Sequence, residues 1–179
     1  MKAGGGAAPA GHDALAFVAL GSNLGNSRDL LRRALDRLQN FSAAPLRKSS
    51  LWLSSPVDCP PDSPLFVNAV AGLTPRLDET PESLLSKLQT LEVELGRRPK
   101  KVLNEPRSLD LDLIAFGGVV CHTPRLILPH PRAHLRRFVL QPLGEIAADC
   151  VLPLQKKTVA QLLGEMLESE ILVRLELSE

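Results

Sequence analysis

Two aspartates, Asp110 and Asp112, are the residues of this chain whose type and spacing most directly indicate chemistry. They are the polar positions in the apolar run Leu109 to Phe116, which has the composition of a buried strand. Residues two apart on a strand point to the same face, roughly 6.5–7 Å apart along the backbone. Neighbouring carboxylates in an apolar setting need a cation, and Mg²⁺ prefers such oxygen ligands. The spacing predicts a divalent-metal site, and the alternative is a half-buried strand whose aspartates face water.

The segment before the aspartates, Gly96 to Arg107, is strongly basic. It carries five lysines and arginines against a single acid, Glu105, and its glycine, two prolines and lack of hydrophobic periodicity are typical of a loop. A basic loop beside paired carboxylates suits the handling of a polyphosphate, since Mg²⁺ on the aspartates and the basic side chains both neutralise phosphoryl charge. The alternative is a solvated basic loop.

The composition is that of one globular protein without a strong overall charge. A chain of 179 residues with 44% hydrophobic content can bury a core, and a net charge of +1 provides no field that attracts nucleic acid or a membrane. The three cysteines are widely spaced and include no Cys-x-x-Cys pair, which favours free thiols in a reducing compartment. We therefore expect a cytoplasmic protein.

The ends of the chain suggest how it is organised. No apolar run approaches the length of a membrane span, and the Gly/Ala-rich start lacks the apolar core of a secretory signal. We expect a disordered N-terminal tail over residues 1–13 and a single domain over residues 14–179.

Hydrophobic periodicity and turn residues predict strands and helices that alternate along the chain. The predicted strands are Leu15 to Leu20, Leu46 to Ser54, Phe66 to Thr74, Leu109 to Phe116 and Val119 to His122. The predicted helices are Ser27 to Asn40, Thr80 to Leu95, Arg137 to Leu143, Glu145 to Ala148 and Thr158 to Glu168, and Ile171 to Leu177 is a terminal strand or a helix extension. This order indicates an α+β fold with a ferredoxin-like antiparallel sheet flanked by helices, a three-layer α/β/α sandwich.

Five motifs carry a resemblance to a known family. In chain order they are Ala19 to Gly25 (ALGSNLG), Phe66 to Val70 (FVNAV), Glu92 to Arg97 (EVELGR), Pro106 to Asp112 (PRSLDLD) and Leu128 to Pro131 (LPHP). In this order they resemble the 6-hydroxymethyl-7,8-dihydropterin pyrophosphokinase family, from about Leu15 to Val151. The resemblance implies Mg²⁺-dependent transfer of pyrophosphate from ATP to a pterin alcohol in folate biosynthesis, with two Mg²⁺ ions and with ATP as co-substrate.

The resemblance also assigns roles to residues. It places the metal on Asp110 and Asp112 and makes Arg97 and Arg107 catalytic. It assigns ATP binding to Gln89, Glu92, Arg98, Lys100, Leu113, Arg125, His130 and Arg136. It assigns pterin binding to Gly21, Ser54, Ser55, Val57, Phe66, Asn68 and Phe138.

The basic loop departs from the family pattern. Asn104 and Glu105 stand where the family commonly has a tryptophan and a glycine, and Pro99 stands where an additional arginine is often found. The loss of a stacking side chain predicts weaker loop closure and slower turnover, and the reaction type is unaffected.

Two other classes of function remain open from the residues. One is a different metal-dependent nucleotide enzyme on a ferredoxin-like sheet, such as a nucleotidyl transferase or a cyclase. The other is a non-catalytic ligand-binding module. We expect a monomer with small-molecule ligands, without nucleic acid or a membrane as partner, and without zinc on Cys121, His122, His130 and His134, because Pro131 opens a segment with no predicted helix.

Overall fold

The computed structural model describes residues 15–97, 108–167 and 171–175 of the chain. The predicted N-terminal tail lies outside the described residues, and so do Arg98, Lys100 and Arg107 of the basic loop together with Pro99, Asn104 and Glu105.

An antiparallel sheet forms the centre of the fold. Its strands follow the order β5-β1-β4-β3-β8, and β2 pairs with β4 beside β3. The strands are β1 (Ala16–Ser22), β2 (Arg47–Lys48), β3 (Trp52–Ser54), β4 (Phe66–Leu73), β5 (Asp110–Phe116) and β8 (Leu172–Arg174). A separate two-stranded sheet pairs β6 (Cys121–His122) with β7 (Ile127–Leu128).

Four α-helices accompany the sheet in the described ranges: α1 (Ser27–Leu38), α2 (Pro81–Glu94), α3 (Arg137–Ala147) and α4 (Val159–Gly164). Their starts follow from local sequence. The Asn26 side chain accepts the Asp29 N–H at the start of α1, and Thr80 and Ser83 form a capping box at the start of α2. None of the described helices has both the length and the apolar character needed to cross a membrane.

The helices lie in two layers, one on each face of the sheet. Alternate residues of β1 point to opposite faces, so Val18 and Leu20 pack in one core with α1 and α2, whereas Phe17 packs in a second core with α3 and α4. Leu35 of α1 belongs to the first core and Leu140 of α3 to the second. The predicted α+β fold, a ferredoxin-like sheet between two layers of helices, is confirmed.

One predicted strand is divided in the structure and two predicted helices are merged, and side chains explain both differences. The single strand predicted from Leu46 to Ser54 is divided into β2 and β3, because the Ser49 hydroxyl accepts the Val70 N–H at 2.9 Å and so takes the place of a backbone carbonyl. The two helical pieces predicted on either side of Gly144 form one helix, α3. A Cβ at Gly144 would lie 3.8 Å from both Val159 and Leu163, so this glycine serves the close approach of α4 and does not end the helix.

The last helix and the last strand of the described residues are shorter than the sequence predicted. The helix expected over Thr158 to Glu168 is limited to Val159–Gly164. Of the two alternatives for Ile171 to Leu177, the structure has the strand, Leu172–Arg174, which pairs with β3.

Candidate active site

A pocket opens on the α3 side of the sheet, where the second core does not cover the whole face. In the register of the sheet, Gly21 of β1 lies opposite Asn68 of β4 on one side and opposite Asp110 of β5 on the other. Asp112 lies opposite Ala19 in the same way, so both aspartates share the face that carries Asn68. The sheet thus positions the predicted metal ligands and the predicted ring-binding amide side by side.

The cavity at this position has a volume of about 220 Å³. Typical ligand pockets hold roughly 300–1,000 Å³, so it can enclose one small ring system and leaves the bulk of a nucleotide outside. It is lined by all of the residues that the resemblance assigns to the pterin, namely Gly21, Ser54, Ser55, Val57, Phe66, Asn68 and Phe138. Four of the residues assigned to metal and ATP also line it: Asp110, Asp112, His130 and Arg136.

Asn68 is held in one orientation by the strand next to it. Its side chain is buried, and its amide nitrogen donates to the Ser54 hydroxyl at 2.8 Å and to the Trp52 carbonyl at 3.5 Å. A Cβ built on Gly21 would lie 3.6 Å from the Asn68 amide oxygen and 3.9 Å from the Phe66 ring. A side chain at position 21 would therefore project into the space between them, and glycine keeps this part of the pocket open.

Arg136 connects the aromatic wall with the charged part of the pocket. Its guanidinium lies 5.5 Å from the centre of the Phe138 ring, within the range of a cation–π contact. Burial lowers the pKa of Arg136 and the nearby Arg132 lowers it further, whereas Asp112 acts in the opposite direction. Arg136 is therefore a partly desolvated cation that faces the aspartates.

Arg97 joins a buried carboxylate to the predicted metal site. Its guanidinium contacts the Glu92 carboxylate and lies 3.1 Å from Oδ1 of Asp110. Glu92 is only 4% exposed, and its Oε1 accepts the Leu111 N–H at 2.7 Å. Burial raises the pKa of Glu92, although the Leu111 N–H and Arg97 both act to lower it. The buried Glu92 thus holds the Arg97 guanidinium next to Asp110.

A β-bulge in β5 positions the loop that carries His130. Phe17 lies opposite Ala115 and Val18 opposite Leu113, so Ile114 is the extra residue between them. The Ile114 carbonyl accepts the His130 N–H at 2.8 Å. The irregular point of the edge strand therefore anchors the neighbouring loop against the pocket.

The imidazole of His130 is uncharged at neutral pH. Burial lowers its pKa to about 4, and the positive charges of Arg136 and Arg132 contribute to the shift. The Arg132 N–H donates to Nδ1 of His130 at 3.2 Å, so the proton of the neutral ring is on Nε2. His130 is thus a neutral hydrogen-bond donor.

The two aspartates fit a hard cation that takes most of its ligands from water and a bound substrate. Within residues 15–97, 108–167 and 171–175, no three His, Cys, Asp or Glu side chains are placed to hold a metal together, and this includes the described cysteines and histidines considered for zinc. Two carboxylates on one strand face suit Mg²⁺, which binds through one or two carboxylates and completes its shell with water and phosphate oxygens.

Three of the residues assigned to ATP lie away from the pocket lining. Gln89 is exposed on α2, the Leu113 side chain is buried against α1 and α2, and Arg125 is exposed between β6 and β7. Glu92 also lies outside the lining, as its burial requires. Their contacts with a nucleotide remain a prediction.

The pocket also contains residues that the sequence did not single out. Asp58 and Arg132 line it, with Arg132 Nη1 3.8 Å from Asp58 Oδ2, and Cys59 lies beside Asp58. Asp58 has a φ of 54°, within the proline-rich loop between β3 and β4. The sequence could have indicated Arg132 only through its position two residues after His130. It could not have indicated Asp58, because the conformation of the loop that carries Asp58 is not visible in the sequence.

Comparison with known sequences gives consistent matches. Residues 17–148 match the family described as 7,8-dihydro-6-hydroxymethylpterin-pyrophosphokinase. The chain is 42% identical over 138 residues to the 2-amino-4-hydroxy-6-hydroxymethyldihydropteridine pyrophosphokinase of Pseudomonas aeruginosa, which covers 76% of this chain and 83% of that protein. It is 36% identical over 156 residues to the folic acid synthesis protein fol1 of Pneumocystis carinii, which covers 87% of this chain and 20% of that protein.

Solved structures show the same fold within a larger chain. The wild-type HPPK-DHPS of Plasmodium falciparum aligns with a TM-score of 0.67 and 13% identity, over 84% of this chain and 44% of that chain. The chain therefore spans about a fifth of the fungal relative and less than half of this structural neighbour.

The fold, the pocket and these matches define a small-molecule transferase on a ferredoxin-like sheet. The chain belongs to the 7,8-dihydro-6-hydroxymethylpterin-pyrophosphokinase family, as its sequence motifs predicted. It is accordingly a pyrophosphokinase of folate biosynthesis.

Proposed function

We propose that this pocket transfers a pyrophosphoryl group from ATP to the hydroxymethyl group of 6-hydroxymethyl-7,8-dihydropterin, with AMP as the second product. The observation that carries the proposal is the alignment of Asn68, Gly21 and Asp110 across three adjacent strands. Two strand spacings separate the Cα atoms of Asn68 and Asp110 by about 10 Å. This distance suits a bicyclic ring at one end and its phosphate-accepting arm at the other.

The ring would bind in the uncharged part of the pocket. The Asn68 amide can both donate and accept, which matches the amide-like edge of a pterin. Phe66 and Phe138 provide apolar faces for stacking. Ser54, Ser55 and Val57 line the same part of the cavity and would complete the contacts with the ring.

The phosphates would bind in the charged part. Asp110 and Asp112 would hold Mg²⁺, two ions by the family resemblance, and bound Mg²⁺ supplies positive charge to the transferring group. Arg136 and His130 line the cavity within electrostatic reach of each other and of Asp110, and they would contact phosphate oxygens, His130 through its Nε2–H. Arg97, already within 3.1 Å of Asp110, would exchange this contact for the incoming phosphate.

The reaction would depend mainly on alignment and charge. The pterin hydroxyl oxygen forms a bond to the β-phosphorus of ATP, the bond between that phosphorus and the α,β-bridging oxygen breaks, and the hydroxyl proton passes to water. His130 is poorly suited to take this proton, because its Nδ1 already accepts the Arg132 N–H and its pKa is lowered to about 4.

Other parts of the proposal rest on the sequence resemblance. Arg107 would act with Arg97, and Gln89, Glu92, Arg98, Lys100, Leu113 and Arg125 would contribute to the ATP site. We also propose a single domain over residues 14–179 that acts as a cytoplasmic monomer on small molecules, without a nucleic-acid or membrane partner.

An assay of the nucleotide products tests the proposal. The protein is incubated with ATP, Mg²⁺ and the pterin, and AMP, ADP and cyclic nucleotide are separated by chromatography, with controls that omit the pterin or add a chelator. We expect AMP to form only in the complete mixture. ADP or a cyclic nucleotide as the main product would indicate a different nucleotide enzyme, and pterin binding without turnover would indicate a binding module.

A further inference from the structure

The strand that carries the pocket serines is short and depends on its neighbours. β3 consists of Trp52–Ser54, with Ser54 and the following Ser55 in the pocket lining. It pairs with β4 on one side and with β8 on the other. Because so few residues hold β3, the strand on its outer side contributes directly to its position.

β8 is hydrogen-bonded to both ends of this segment. The Ser55 N–H donates to the Ile171 carbonyl at 3.1 Å, and the Leu175 N–H donates to the Leu51 carbonyl at 2.8 Å. Between these contacts, Val173 lies opposite Leu53. β8 therefore fixes β3 along its whole length, up to a residue of the pocket itself.

Arg174 extends this connection to α3. Its Nε donates to the Ser50 hydroxyl at 2.8 Å, and it also lies 3.5 Å from Oε1 of Glu145. The other carboxylate oxygen of Glu145 accepts the Ser50 N–H at 2.6 Å. Glu145 lies two turns after Phe138 on α3, about 10 Å along the helix. The same contacts thus hold together β8, β3 and the helix that carries the aromatic wall.

We propose that β8 is a positioning element for pterin binding and that Arg174 is its positioning residue. A flat ring that pairs its edge with Asn68 and stacks on Phe138 binds well only where the separation between these two side chains suits both contacts. β8 and Arg174 set this separation from outside the pocket. They lie beyond residues 17–148, the part of the chain that matches the family. The inference rests on the proposed function, because it assigns the ring to this part of the cavity.

Substitution of Val173 tests the backbone contribution. The pairs Ser55–Ile171 and Leu51–Leu175 are hydrogen-bonded, so the alternation of an antiparallel ladder makes Val173 and Leu53 a hydrogen-bonded pair as well. Val173→Pro removes the N–H, whereas Val173→Thr keeps it, and the Val173 side chain that both changes replace is 52% exposed. We expect proline to weaken pterin binding about tenfold and threonine to leave it unchanged.

Substitution of Arg174 tests the connection to α3 without a change in the backbone. We expect Arg174→Ala to raise the KM for pterin about threefold with the KM for ATP unchanged, and Arg174→Lys to recover part of the loss through Glu145. The control is Lys157→Ala, which removes an exposed ion pair with Glu165 elsewhere in the C-terminal region. We expect no kinetic effect of the control.

Direct binding keeps this test separate from that of the proposed function. Calorimetry measures pterin affinity in the unmodified protein and in each variant, and circular dichroism verifies that each variant is folded. A selective loss of pterin affinity in Val173→Pro and Arg174→Ala supports the proposal. Unchanged affinity, or a fall in kcat with both KM values constant, overturns it. Absence of AMP formation by the unmodified protein would overturn the proposed function, whereas the binding comparison would still decide the role of β8.

Discussion

The two halves of the pocket are held in place by different forces. In the half assigned to the pterin, Asn68 and Ser54 are fixed by a neutral hydrogen bond and by the ladders of β3 and β4. Beside the half assigned to phosphate, Arg97 is paired with the buried Glu92 and with Asp110 of the pocket lining. A ring can use the Asn68 amide while the 2.8 Å bond to Ser54 stays and only the 3.5 Å contact with the Trp52 carbonyl is given up. A phosphate entering the second half must compete with an existing ion pair.

This difference predicts different kinetic effects. Changes in the neutral half remove contacts that the pterin makes before and during reaction, so they should raise its KM. Changes in the charged half remove stabilisation of the transferring group, so they should lower kcat.

The largest effect is expected at the paired aspartates. Asp112→Asn keeps the size of the side chain and removes its charge, and we expect kcat to fall by more than about a hundredfold because the cation loses a charged ligand. The rate of AMP formation measures this, and unfolding by urea checks stability. The matched control is Asp36→Asn, which makes the same change at an exposed carboxylate on α1 and should leave kcat unchanged. AMP formation at a near-normal rate in Asp112→Asn would show that Asp112 is not a required metal ligand and would contradict the assignment of phosphate to the charged half of the pocket.

Arg97 should combine a catalytic and a structural role that a double variant can separate. Arg97→Ala should lower kcat roughly tenfold to a hundredfold, and it should lower the free energy of unfolding by about 1–3 kcal/mol because the buried Glu92 loses its cation. Adding Glu92→Gln removes the unpaired charge and keeps an acceptor for the Leu111 N–H, so stability should return and activity should not. Recovery of turnover in the double variant would mean that Arg97 acts only on the fold.

Asn68 should affect the pterin selectively. Asn68→Ala removes the amide and leaves the Ser54 hydroxyl without its 2.8 Å partner, so we expect the KM for pterin to rise about tenfold with the KM for ATP unchanged. Steady-state kinetics with each substrate varied in turn measures this. The exposed Asn40→Ala is the matched control. An equal rise in both KM values would contradict the assignment of the two halves.

The smallest effect on activity is expected from the ionisation of His130. Because burial and two arginines lower its pKa to about 4, the ring stays neutral from pH 5 to 8 and kcat/KM should show no step near pH 6.5 from this residue. Nuclear magnetic resonance of the histidine ring protons, assigned with His130→Gln, should show a midpoint near pH 4 for His130. A midpoint near 6.5 would mean that the loop is more open to solvent than the structure indicates.

The same shift has a defined effect on stability. Between pH 6.5 and about 4, the unfolded chain takes up a proton at position 130 that the folded chain does not. The stability that the neutral ring provides is therefore present above pH 6.5 and is lost as the pH falls through 4. Relative to His130→Gln, the unmodified protein should lose stability over this range in urea denaturation.

The sequence predicted most of the elements and the shared face of Asp110 and Asp112, because strand periodicity alone places residues two apart on one side. That the two aspartates bind a metal stays a prediction. The sequence did not predict that Gly21 would separate Asp110 from Asn68, since that register depends on the order of strands in the sheet. It also did not predict the bulge at Ile114 that anchors His130, because an extra residue in a strand leaves no mark in the hydrophobic pattern.

The assignment of Glu92 illustrates the same limit. Helical spacing places Gln89 and Glu92 on neighbouring turns, yet Gln89 is exposed and Glu92 is 4% exposed, because one side of α2 packs against β5. Which residues of a helix are exposed and which are buried depends on the elements that pack against the helix. The burial of Glu92, and hence its contact with Arg97, became apparent only in the fold.

The fate of isotopically labelled phosphates shows which phosphorus atom of ATP is attacked. ATP labelled separately at the α-, β- and γ-phosphorus is incubated with the pterin and Mg²⁺, and the products are separated. Attack at the β-phosphorus predicts that the β and γ labels appear together on the pterin and that the α label appears in AMP. A γ label alone on the pterin, with the β label in ADP, would contradict the account.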